Sequence, residues 1–78
     1  MIDWKQHLTR NAEVSGGQLC ASGTRIPVTV ILANMAEGCS RVDLQKQYPS
    51  LLPQHIDAAL AYAADLAEEE IMLPLSGL

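Results

Sequence analysis

Cys20, Cys39, His7 and His55 are the side chains that could ligate a transition metal or pair a thiolate with a base. Structural zinc sites usually take their ligands in close pairs, roughly two to five residues apart, so that one short loop presents two of them. No Cys-x-x-Cys or His-x-x-x-His pair occurs in the chain, and no metal is expected. A reactive thiolate needs a neighbouring cation or helix N-terminus, and the sequence supplies neither for a Cys–His pair. It also has no Gly-x-Ser-x-Gly, phosphate loop or close carboxylate pair. The expectation is a non-enzymatic protein without a cofactor.

The remaining chemistry is recognition. The net charge is −4, unevenly spread. Lys5, Arg10, Arg25, Arg41 and Lys46 all lie in residues 1–46, which carry +1, whereas residues 47–78 carry −5 with no Lys or Arg. Phosphate backbones are held by Lys and Arg that release counterions, so a single chain is a poor non-specific nucleic-acid binder. Contact with DNA would fall to Arg25, Arg41 and Lys46, with Gln54 and His55 reading base edges. Each has a second reading. Arg25 follows a Gly-Thr turn, where its five donors can brace a ribbon or helix end instead of a phosphate. Gln54 and His55, exposed with Asp57, Ala58, Ala61 and Tyr62, can equally form a solvated polar face, and Asp57 would repel phosphate. At the acidic end Glu68, Glu69 and Glu70 precede Ile71, Met72 and Leu73. Acids at a helix C-terminus oppose the dipole and weaken it. The end either frays in water or forms a partner-binding arm of Glu68, Glu69, Glu70, Ile71 and Leu73 that folds against a basic groove.

The elements that must position these residues follow from periodicity and punctuation. Met1 to Leu8 suits a short helical turn, with Trp4 packed on the body of the domain. Gly16, Gly17 and Gly23 suit turns with positive φ, which predicts a short ribbon over 12–27 containing a strand near Leu19 and Cys20. Val28, Ile31, Leu32, Met35 and Ala36 share one helical face, giving a helix over about 28–37 that Thr24 or Thr29 would cap and Gly38 would end. Ser40 with Asp43 resembles a capping box and opens a helix over 41–47 that buries Val42 and Leu44 and stops before Pro49. Pro53 starts the longest helix, about 53–70, along which Ile56, Ala59, Leu60, Ala63, Ala67 and Ile71 recur. The expected fold is mainly α: one three-helix, helix-turn-helix domain over 1–78, winged-helix or homeodomain-like, with a short N-terminal β-ribbon.

With 78 residues and a small, alanine-rich apolar set, the core is limited. A homodimer, helped by an exposed Tyr62, is the expected extra support. The apolar stretches are too short for a membrane span. No basic segment followed by an apolar one opens the chain, and two cysteines make no disulfide framework, so a reduced cytoplasmic setting is expected.

The run Gly16-Gly17-x-x-x-x-x-Gly23-Thr24-Arg25-Ile26-Pro27-Val28 carries a further signal. It is followed in order by Gly38-Cys39-Ser40, Tyr48-Pro49-x-Leu51 and Ile56-x-x-Ala59-Leu60-x-Tyr62-Ala63. This order resembles the prokaryotic family called domain of unknown function four-three-three, over roughly Trp4 to Ala64. Members usually carry a Lys-Pro or Arg-Pro pair where this chain has Gln18 and Leu19, so no basic contact carries over there. The resemblance implies an antitoxin-like protein that neutralises a PIN-like nuclease toxin and binds its own operator DNA. The alternative is a protein-interaction module, or an orphan member, that ignores DNA.

Overall fold

Gly16 and Gly17, at φ 66° and 85°, reverse the chain so that two three-residue strands meet. The computed structural model describes residues 2–13 and 15–71. Strand β1 (Leu8–Arg10) pairs antiparallel with β2 (Leu19–Ala21), Leu8 opposite Ala21 and Arg10 opposite Leu19. The Arg10 guanidinium braces the turn by donating to the Gly17 carbonyl at 3.1 Å. The ribbon therefore begins upstream of residue 12, where the sequence had placed it. Gly23, at φ 79°, also turns the chain. The segment after it forms no strand: it makes a bridge from Pro27 to Cys20, and the Ala21 N–H donates to the Ile26 carbonyl at 3.0 Å. Proline has no N–H with which to continue a ladder, and a helix begins at the next residue.

Three helices follow: α1 (Val28–Ala36), α2 (Arg41–Gln47) and α3 (Pro53–Ile71). Neither threonine caps α1. Pro27 occupies the cap position without a side-chain bond, and the Thr24 hydroxyl instead closes its own turn, donating to the Ala21 carbonyl and accepting from the Ile26 N–H. The other end of α1 is a Schellman motif: Gly38 donates to the Met35 carbonyl and Cys39 to that of Asn34. Gly38 sits at φ 91° with open space around it, so a side chain there would meet strain but no clash. Gly38→Ala is expected to lower stability by about 1–2 kcal/mol, with Gly38→Asn recovering part of the loss, as read by urea midpoints. Ser40 then caps α2 by accepting from the Asp43 N–H at 3.1 Å. Tyr48, before Pro49, turns extended (φ −128°, ψ 82°) and ends α2.

Ile31, Leu44, Leu51 and Ile56 are each at most 1% exposed and meet Leu8 and Ala21 of the ribbon. Two burial expectations are corrected. Val42 is 61% exposed, so Leu44 alone anchors α2. On α3 the enclosed face includes His55, Ala58 and Ala61 beside Ile56 and Ala59, while Leu60 and Ala67 face outward. Alanines occur on several sides of this helix, which blurs the hydrophobic period. The result is mainly helical, three helices with a two-stranded ribbon, compatible with a small helix-turn-helix domain. Among the described residues no helix is long and apolar enough to cross a membrane.

Candidate functional site

Residues 48–52 join α2 to α3, and their geometry decides which side chains α3 can offer. The Leu51 N–H donates to the Tyr48 carbonyl at 2.9 Å, and the Gln45 amide reaches the Leu51 carbonyl at 3.2 Å. His55, on the first turn of α3, points back into the domain. Its Nδ1 accepts from the Leu52 N–H at 3.0 Å, while the His55 N–H donates to the Leu52 carbonyl at 2.9 Å. This is the returning half of a capping box, with imidazole in place of the usual Glu or Gln. Because Nδ1 accepts, the ring proton sits on Nε2; a hydrogen bond with the Ser22 backbone also acts on the ring. Burial holds the imidazole below its ordinary range; nearby His7 pushes the same way and the Ser22 bond opposes them. His55 is only 5% exposed, so its ring is enclosed in the domain. The expected exposure of His55, Ala58 and Ala61 is thereby overturned: capping the helix and filling the core both turn this side inward.

Arg41 and Asp57 neutralise each other, Nη1 to Oδ1 at 2.7 Å, each side chain about half-exposed. The pair ties the start of α2 to α3 and occupies a cation proposed for phosphate. Lys46 and Gln54 are exposed. Arg25 lies exposed at the Gly23 turn, lining a pocket with Thr9, Asn11, Cys20 and Thr24. Cys20 is buried, Cys39 half-buried, and both are free thiols. Among the described residues no three His, Cys, Asp or Glu side chains are grouped to hold a metal ion.

The far part of α3 is held by the N-terminal segment. Asp3 caps a 3-10 turn, Trp4–Gln6, which places Trp4 edge-on against Tyr62, ring centroids 4.9 Å apart at 75°. The Trp4 indole N–H donates to the Asp65 carboxylate at 2.6 Å. Tyr62 is consequently half-buried, its ring committed within the chain instead of exposed for a dimer. Sequence reasoning missed the Trp4–Asp65 and Arg41–Asp57 pairs, which no local spacing announces. The Leu52-to-His55 interval, equal to that of a capping box, is the signal that could have placed His55.

What α3 offers outward is apolar and acidic. Leu60 and Leu66 are 37% and 44% exposed. Two open grooves flank the helix. Ile2, Asp57, Leu60, Ala61 and Ala64 line one of about 390 Å³; the other includes Leu19, Val28, Leu32, Tyr62 and Leu66. Asp65 and Glu68 are exposed, and no Lys or Arg follows Lys46 in the sequence. Glu69, Glu70 and Ile71 complete the last turn of α3 along the backbone; Leu73 lies outside the described residues.

A family model described as "Protein of unknown function (DUF433)" matches residues 8–63, from the first strand well into α3. The chain belongs to this family. A similar solved structure is the 2.00 Å crystal structure of a DUF433 member protein from Anabaena variabilis ATCC 29413, 30% identical with a TM-score of 0.71. The likeness covers 81% of this chain but 62% of that one, so this chain spans about three-fifths of its relative's length. A search of curated proteins gave no match. Trp4, Asp65 and Glu68 all fall outside the segment shared with the family model.

Proposed function

We propose that this chain is a non-enzymatic, antitoxin-like binding protein whose outer α3 face engages a protein partner. The partner class implied by the family resemblance is a PIN-like nuclease toxin. The observation that supports this reading is the exposure of Leu60 and Leu66 on a helix whose exposed charges beyond the Arg41–Asp57 pair are all acidic. A nuclease must attract a polyanion, so the rim of its groove is expected to be basic. Operator binding is the second reading, favoured by Lys46 and Gln54, exposed at the end of α2 and the start of α3. With Arg41 paired and His55 enclosed, it requires a homodimer to double the few cations left.

The test is co-expression with the product of the adjacent reading frame, followed by light scattering and gel shifts with upstream DNA. A stable complex with a small nuclease-like protein is expected. No complex, together with a DNA shift by the chain alone, would replace this reading with that of a DNA binder.

A further inference from the structure

Three segments meet at the His55 ring, and one of them is held more lightly than the rest. The α2–α3 connection contributes the Leu52 N–H, which donates to Nδ1, and the ribbon turn contributes a hydrogen bond with the Ser22 backbone. The N-terminal turn contributes His7, whose imidazole acts on the ring through its charge. These contacts continue in series toward α3. The Ser22 N–H donates to the His7 carbonyl at 2.9 Å, the His7 N–H to the Trp4 carbonyl at 3.0 Å, and Trp4 docks on Tyr62 and Asp65. Of the other charges, Asp57, two residues along α3 from His55, is engaged by Arg41 of α2. Lys5 lies over the Trp4 ring, 5.8 Å from its centroid. Trp4–Gln6 holds no buried side chain, and Ile2, Trp4 and His7 are only half-buried. Trp4 packs on the core from outside, whereas Ile31, Leu44, Leu51 and Ile56 hold the helices together without this segment. A segment with so few enclosed contacts opens at low free-energy cost, ahead of global unfolding.

From this arrangement we infer that residues 2–7 form an acid-released clasp on α3: when His55 and His7 take up protons, the clasp lifts from Tyr62 and Asp65 while the helices stay folded. Three effects act in one direction. A proton at Nδ1 removes the acceptor of the Leu52 N–H. Two neighbouring imidazolium groups repel, and the repulsion ends when His7 leaves with the clasp. Release also admits water to an enclosed ring, which favours its charged form. The docked ring is held below the ordinary 6.5 and the released ring returns toward it, so falling pH favours release. The inference does not rest on the protein-partner reading, although Tyr62 and Asp65 lie on the helix that reading assigns to the partner.

Trp4 is the chain's one tryptophan, so its fluorescence reports the clasp directly. Emission and far-ultraviolet circular dichroism of the full chain are followed from about pH 7.5 to about pH 5. The expected result is a reversible red shift of Trp4 emission with helical dichroism unchanged. His55→Gln, which keeps an acceptor for the cap, should abolish the shift, and His7→Gln should weaken it. Amide exchange of the wild type gives a reading independent of the variants. Protection at Ser22 and His7 should fall in acid while that of α1 and the first half of α3 holds. A shift that survives His55→Gln but disappears in Asp65→Asn would assign the response to the carboxylate and overturn the inference. So would constant emission, a shift that coincides with loss of helix, or protection retained at Ser22 and His7 at about pH 5.

Discussion

His55→Ala is expected to destabilise the domain by about 3 kcal/mol, since it strips the part-buried Leu52 N–H of its acceptor and leaves a void where the enclosed ring was. His55 joins Leu52, just before α3, to Ser22 in the ribbon turn, and the enclosed ring completes the contact between them. A pH dependence follows, with a definite sign. Burial holds the folded-state value below the ordinary 6.5, so between the two values the unfolded chain binds the proton more often. This contribution to stability is full above pH 6.5 and is lost as pH falls from there toward the lowered value. Protonation at Nδ1 would also abolish its bond from the Leu52 N–H. Urea unfolding should therefore show a less stable wild type at about pH 5.5 than at about pH 7.5. His55→Gln keeps an acceptor suited to the cap and should flatten that difference while losing less stability than alanine. A pH response in the glutamine variant equal to wild type would assign the effect to other groups.

Leu44→Ala is expected to cost about 2–5 kcal/mol, a large fraction of what a domain of 78 residues has available. Leu44 is the one buried side chain of α2, fully enclosed, and a seven-residue helix has little intrinsic stability. Its loss should release α2 before the rest. Hydrogen exchange should accelerate across 41–47 more than across the first half of α3. Val42→Ala, at a 61% exposed position, should change stability by less than about 0.5 kcal/mol. Similar costs at the two positions would show that α2 is held differently.

Much of the helical frame was legible because its punctuation is local. Gly38, Ser40, Pro49 and Pro53 each act on the backbone within a few residues, and helix boundaries respond to such signals. The ribbon was placed too late because two glycine turns compete for the strand at Leu19, and only the upstream one has a partner able to form a ladder. The inner face of α3 was misjudged around His55, Ala58 and Ala61 because alanine distributes apolar character around the helix. The Trp4–Asp65 bond spans 61 residues and had no sequence signal at all. For the candidate site, the acidic character of α3 was plain from composition. The pairing of Asp57 with Arg41 and the two grooves needed the tertiary fold.

The central claim, that the outer face of α3 is a protein-binding surface, is tested most directly by binding kinetics against the adjacent gene product. Three forms of the full chain serve: wild type, Leu60→Ser with Leu66→Ser, and Gln at Glu68, Glu69 and Glu70. Exposed charges mainly set the association rate, and apolar anchors the dissociation rate. The leucine variant should dissociate at least tenfold faster, a loss of about 1.4 kcal/mol. The glutamine variant should associate more slowly and with less dependence on salt. Association and dissociation rates unchanged in both variants, with both folded, would contradict the claim and move the contact off α3.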